Sequence, residues 1–338
     1  MNSVFPVGLV LVSFLAASAG PLPESAGTGG LRVEIHARRV VPGEVLRVVV
    51  RAASALDRVR GTFRGRDLAF APIDDYPAAS AWAAWAVVGL TEEAGVAQVE
   101  IEARCGERIL HASRRLTIGE AGFPLERLEV APRHVNPPAE ALLRIKREKA
   151  RLARIYRRRR PLPWPTRPFL RPVAGAPTSR FGLRRVFNGV PRAPHSGLDL
   201  RADVGTPVRA ASSGTVVVAG EFYYSGKLVI LDHGMGLFTL YAHLSRIDVT
   251  EGDWIERGRR LGLSGATGRV TGPHLHWGAK IGDRPFDPRA LLDPALFGGS
   301  SDRRGSWHGL PGEDREMEKT GGKEMGAWGS GEQACQGK

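Results

Sequence analysis

The chain is poor in cysteine, with two in 338 residues, Cys105 and Cys335, far apart and neither with a nearby partner. That scarcity argues against a disulfide framework and excludes cysteine metal sites, so any metal must be held by histidine and carboxylate. Long apolar runs are equally scarce. Val4 to Ala17 is apolar and uncharged, but it is shorter than the roughly 20 residues of a membrane span, and no second run follows. Ala17-Ser-Ala19 supplies a small-x-small cleavage pattern, so residues 1–19 are expected to be an export signal, although no Lys or Arg precedes them. Left uncleaved, the same segment would act as a membrane anchor.

Acidic residues are outnumbered, giving a formal charge of +13, yet the excess is local. Between Ala139 and Arg160 ten Lys or Arg face two Glu, a surplus of eight that leaves +5 for the remainder. A nucleic-acid binder spreads basic residues over a folded face and interleaves aromatics with them. Here one basic element stands alone, which argues against a nucleic-acid partner and allows contact with an anionic surface such as wall polymers or lipid headgroups. A solvated basic face is the alternative reading.

What is plentiful is glycine (42) and proline (24) in a chain that is 42% hydrophobic, a composition of many short elements joined by tight turns. The expected fold is mainly β, in two domains. In residues 31–132, Leu31-Arg-Val-Glu-Ile35 and Ala97-Gln-Val-Glu-Ile101 alternate, and Val45 to Val50 is β-branched. An Ig-like β-sandwich is expected there, with a spacing or positioning role; Ala79 to Val88 is open to a short helix instead. His36 and His111 are isolated and read as ordinary histidines.

A basic linker helix is expected within 136–162, over Ala139 to Tyr156, with a narrow apolar stripe of Leu142, Ile145, Leu152 and Tyr156 interrupted by Lys149. Residues 163–297 are again strand-rich, with runs at Thr215 to Val218, Leu228 to Leu231 and Phe238 to Tyr241. The Gly-rich, charged segment 298–338 is expected to be a disordered tail.

Five of the nine histidines fall between 195 and 276. In His195-Ser-Gly-Leu-Asp199 the offset of four puts imidazole and carboxylate on one face of an extended strand. His274-Leu-His276 points two imidazoles into one cavity, with Leu275 and Trp277 facing the opposite layer. Tyr241-Ala-His243 repeats the offset of two. Each signal is weak alone; their joint occurrence in a chain without cysteine ligands is strong. His233, in an Asp-His-Gly turn, reads as structural, and Tyr241 and Trp277 read as core.

Around these residues the sequence resembles the M23 family of zinc metallopeptidases, of the lysostaphin and LytM type, from about Phe169 to Leu292. The resemblance runs through Ser179-Arg-Phe-Gly182, Asn188-Gly189, His195-Ser-Gly-Leu-Asp199, Gly205-Thr-Pro-Val208 and Gly214-Thr-Val216. It continues in Asp232-His-Gly234, Tyr241-Ala-His-Leu244, Gly252-Asp-Trp-Ile255, Gly265-Ala-Thr-Gly268 and Thr271-Gly-Pro-His-Leu-His276. It implies an antiparallel β metallopeptidase domain, barrel-sandwich hybrid-like, with one Zn2+ held by His195, Asp199 and His276. It also implies His243 and His274 as catalytic histidines, and peptidoglycan peptides as substrate. With the export signal, the expected location is the periplasm or cell envelope. Asn188 and Arg180 are candidates for the groove wall. A non-catalytic relative that binds the wall or activates another hydrolase would lack ligands, whereas all five positions are filled here.

Overall fold

A computed structural model describes residues 30–73, 80–128, 137–160 and 165–298. The expected export signal (1–19) and the tail from residue 299 onward, with Cys335, lie outside the described residues. Eight strands come first: β1 (Leu31–His36), β2 (Val45–Ala52), β3 (Arg58–Phe63), β4 (Arg66–Asp67), β5 (Ala71–Pro72), β6 (Ser80–Val87), β7 (Gly95–Cys105) and β8 (Arg108–Ile118). They form two four-stranded antiparallel sheets, β1-β2-β6-β5 and β4-β3-β7-β8. Between them lies an apolar core that includes Leu46, Val48, Phe63, Val99 and Ile101.

Residues 80–87 form a strand, not the helix that their composition left open. Both faces of β2 and β6 are buried, which removes the alternation a half-exposed strand shows. Leu46, Val48, Ala86 and Val88 face the N-terminal core, while Val45, Val49, Ala83, Trp85 and Val87 pack into the core of the C-terminal half. The two halves thus share apolar packing, and β2 and β6 are its common layer.

The chain continues through β9 (Leu125–Leu128), helix α1 (Ala139–Tyr156), β10 (Pro177–Ser179), β11 (Arg184–Phe187), β12 (Val190–Pro191), β13 (Gly197–Leu200) and β14 (Pro207–Arg209). Then follow β15 (Gly214–Phe222), β16 (Gly226–Asp232), β17 (Leu237–Leu244), β18 (Arg246–Ile247), β19 (Trp254–Ile255), β20 (Arg260–Leu263), β21 (Leu275–Ile281) and β22 (Arg284–Phe286). The central sheet runs β10-β13-β21-β17-β16-β15-β19, with β22 added beside β21. One face carries Leu198, Leu200, Val216, Leu231, Tyr241, Leu275 and Trp277 into a core shared with Val208 of β14 and Leu261 of β20. Tyr241 and Trp277 are fully buried there, as expected.

The opposite face is divided. Over β15, β16 and β17, Val218, Phe222, Leu228, Ile230, Phe238 and Ala242 are covered by Ile155 and Tyr156 of α1. The helix occupies its expected span, but its apolar stripe differs. Ala141, Ile145, Ile155 and Tyr156 are buried, while Leu142 is 53% exposed. The apolar contacts of α1 with the sheet fall at its C-terminal end, where Ile155 and Tyr156 pack, and Leu142 lies outside them. Over β13 and the start of β21 the same face is left clear of α1, which meets β21 at Lys280 beneath Tyr156.

His233 sits in the β16–β17 turn and is structural. Its Nδ1–H donates to the Ser213 carbonyl at 2.7 Å, and its Nε2 lies 2.7 Å from Thr239 Oγ1. Thr239 in turn is 3.0 Å from the Tyr241 hydroxyl, which accepts from the Ala211 amide. Burial pushes the imidazole down to about 4. The native state therefore refuses a proton that the unfolded chain takes up near its ordinary value of 6.5. Stability must fall as pH drops from about 6.5 to about 4 and level off below, a loss of about 3 kcal/mol at most from this group. Comparing denaturant unfolding of wild type and His233→Gln across that window should show a shallower pH slope in the variant; equal slopes would exclude His233 as the source.

The halves are also tied by charge. The Arg38 guanidinium, after β1, bonds Glu44 and reaches Asp287 at 2.7 Å, and both carboxylates are almost fully buried. Burial works against the Asp287 carboxylate, but Arg38 and Arg289 hold it below its usual range. Arg38→Met would leave Glu44 to Arg39 and Asp287 to Arg289, and a loss of about 1.5–3 kcal/mol in unfolding free energy is expected from denaturant titration.

Candidate metal centre

The site lies on the clear part of the central sheet. In an antiparallel ladder, residues directly opposite one another project to the same side. Asp199 on β13 is opposite His276 on β21, and His276 is opposite Ala242 on β17. Leu275 and Trp277 go to the core, which leaves His276 on the outer face, as its offset from Trp277 foretold.

His195 precedes β13 and is not on the strand itself. It reaches the carboxylate from a loop: Nε2 is 3.1 Å from Asp199 Oδ1 and 3.1 Å from His276 Nδ1. His276 Nδ1 is 2.8 Å from the same Asp199 oxygen. Among the described residues His195, Asp199 and His276 are the group whose donor atoms converge closely enough to hold a metal ion.

The chemistry of the donor set fits a cation. His195 Nδ1 is 2.9 Å from the Arg180 carbonyl, which can only accept, so the proton sits on Nδ1 and Nε2 presents a lone pair. Burial works against the Asp199 carboxylate, yet the neighbouring imidazoles of His195 and His276 hold it well below the usual range, so it is ionised. Lone pairs would face one another at 3.1 Å unless positive charge stands between them. Edges of 2.8 to 3.1 Å approach the roughly 3.3 Å expected between ligands with bonds of about 2.0–2.1 Å.

His274 and His243 complete the cluster. His274 Nε2 is 3.7 Å from Asp199 Oδ1, and the His274 and His243 ring centres are 4.9 Å apart. Their Nδ1 atoms are each 2.9 Å from backbone carbonyls, of Gly272 and Thr267 respectively. Each therefore carries a proton on Nδ1, which leaves Nε2 as the nitrogen available to the site. Burial, then the neighbouring His276, pushes His243 down to about 4, so it is neutral near pH 7.

Strict alternation would have sent His243 into the core with Tyr241. The pairing instead advances two residues on β16, Lys227 to Val229, against three on β17, Tyr241 to Leu244. This bulge, with His243 at φ 64°, turns the imidazole out to the site. No local pattern marks this bulge beyond the histidine itself, a residue type enriched in the left-handed region.

Asn188, a candidate for the groove wall, has a backbone role. Asn188 and Gly189 take φ of 49° and 78° between β11 and β12, the two-residue turn in which both central residues need positive φ. Arg180 contributes its carbonyl to His195. Sequence reasoning also missed Gly197. A Cβ there would lie 2.5 Å from Cε1 and Nε2 of His276, so only glycine lets the ring sit against the strand. Gly197→Ala should displace His276 and weaken metal binding about 10- to 100-fold, the range seen when ligand orientation is disturbed; zinc titration calorimetry would read it.

The model for "Peptidase family M23" matches residues 193–288, which contain all five site residues. Peptidoglycan DD-endopeptidase ShyA of Vibrio cholerae is 45% identical over 111 residues, covering 32% of this chain and 26% of that protein. DD-carboxypeptidase/endopeptidase Mpg of Neisseria meningitidis is 42% identical over 100 residues, covering 30% and 23%. The matches thus span about a quarter of the length of these curated relatives. A crystal structure of an M23 peptidase from Pseudomonas aeruginosa is 31% identical, with a TM-score of 0.57, over 75% of this chain and 96% of that one. With that structure matched across both halves of the fold and the donor cluster inside the matched segment, this chain belongs to peptidase family M23.

Proposed function

We propose that the protein is a zinc-dependent endopeptidase that hydrolyses D,D peptide cross-links of bacterial peptidoglycan in the cell envelope. The observation that carries this reading is the convergence of His195, Asp199 and His276 on one point, with two further imidazoles offering free Nε2 atoms beside it. The reading is supported by the similarity to ShyA and Mpg, both named as endopeptidases. Among the described residues, no helix is long and apolar enough to cross a membrane.

His195 Nε2, Asp199 Oδ1 and His276 Nδ1 would hold the ion. A bound zinc lowers the pKa of water toward about 7 and polarises a carbonyl. The residues supply the rest. Asp199 cancels part of the ion's charge, and the Arg180 carbonyl keeps His195 in the ligating tautomer. His274 and His243, each with Nδ1 committed to a backbone carbonyl, accept at Nε2 the proton that an attacking water loses and return one to the amine as the C–N bond breaks. The Gly272 and Thr267 carbonyls hold each ring in place for that transfer.

Purified muropeptides digested with and without a chelator, with products identified by mass, test the assignment. Cleavage at a D,D cross-link that stops with chelator and returns with zinc is expected; unaltered cleavage under chelation would refute it. His195→Ala should lose zinc and activity together. His243→Ala should keep zinc while turnover falls about 10²- to 10⁴-fold, and an unchanged rate would remove His243 from proton transfer.

A further inference from the structure

Helix α1 stands on the same face of the central sheet as the metal centre. His276 lies opposite Ala242, Gly278 opposite Leu240 and Lys280 opposite Phe238, so one side of the β17–β21 pair carries both the site and the helix-covered patch. Tyr156 closes that patch, with Phe238 5.4 Å away and the Lys280 ammonium 4.6 Å from its ring.

The charges of the helix fall into two sets. Arg144 and Arg151, beside the sheet, are paired, with Glu148 and Glu251. Glu148 also accepts the Tyr223 amide. At 100° per residue, the direction away from buried Ala141, Ile145 and Ile155 carries Leu143, Lys146, Arg147 and Arg154, and Arg157 and Arg158 follow at and just past the C-cap. All six are exposed, and none of these cations has an ion pair among the described residues. Glu140 is the lone carboxylate on that side, at the first turn. Such a row of exposed cations without ion pairs raises self-repulsion, which the Asp232 carboxylate offsets in part at Arg158.

We infer that the outward face of α1 is a docking surface for the polymeric, carboxylate-bearing peptidoglycan itself, holding the enzyme on the mesh whose cross-links it cuts. This rests on the proposed function. Charge complementarity selects the occupant, because stem peptides carry free carboxylates along the polymer. The shared face selects it over a lipid bilayer: a surface that meets α1 also meets the catalytic cleft, so the polymer bound by the helix is presented to the metal centre, whereas a bilayer there would screen it.

The test uses the full chain made inactive by His274→Ala, so that the polymer stays intact, sedimented with purified sacculi at low and high salt. Replacing Lys146, Arg147, Arg154 and Arg158 together by Gln is expected to weaken sedimentation by about tenfold or more at low salt and to flatten its salt dependence. In the otherwise active chain, the same four substitutions should leave turnover of a soluble muropeptide unchanged and depress release from intact sacculi. That soluble turnover also reports that the variant is folded. Exchanging the three arginines for Lys should preserve binding. Sacculus binding that is indifferent to salt or to the four substitutions would overturn the inference. So would loss confined to anionic phospholipid vesicles or DNA. If the wild type cuts no muropeptide yet binds sacculi through these cations, the docking surface stands and the endopeptidase reading falls.

Discussion

Antiparallel pairing between β13 and β21 places Asp199 opposite His276, and that register is the constraint on which the site depends. Side chains alternate along a strand, so a slip of one residue would exchange His276 for Leu275 or Trp277 on the outer face and bury an imidazole in the core. Leu198, Leu200, Leu275 and Trp277 are each at most 1% exposed. Their burial supplies the energy that forbids the slip, on the order of 1.5–3 kcal/mol for each large side chain. Metal-ligand geometry is thus maintained by apolar packing on the far side of the same strands.

Backbone carbonyls do the next part. Arg180, Gly272 and Thr267 each accept from an Nδ1–H, and each bond both selects the tautomer and fixes the ring plane. His276 is the exception, turning Nδ1 rather than Nε2 toward Asp199. Glycine at 197 leaves room for that ring to lie flat against its neighbour. The cluster is therefore held ready by main-chain groups on loops that are themselves pinned to strands. The Thr267 hydroxyl, for instance, donates to the Leu244 carbonyl at 2.7 Å.

The two faces of the central sheet have different work. One is sealed by the small β14-β20-β18 sheet and by the N-terminal strands β2 and β6. The other is shared between a basic helix and a cleft rich in imidazole. The Arg38 cluster and the doubly buried strands make the N-terminal half part of the support for this arrangement.

Residue spacing marked the histidine and aspartate cluster, and the resemblance to M23 peptidases singled out three of its members as candidate ligands. His274-Leu-His276 beside a buried Trp277 is legible because a strand has a period of two, and the absence of cysteine ligands narrowed the donor types. The span of α1 and the burial of Tyr241 and Trp277 were likewise readable from local pattern. Residues 80–87 were not, because a strand covered on both faces has no alternation to read, and its second cover comes from residues more than a hundred positions away. Nor was the route of His243 to the site, which needs a bulge against β16, or the fit at Gly197, which needs the ring of a residue 79 positions later. Sequence determined which atoms could bind and which faces were apolar; tertiary structure alone decided which atoms meet, because register and close approach are properties of paired strands and not of any one of them.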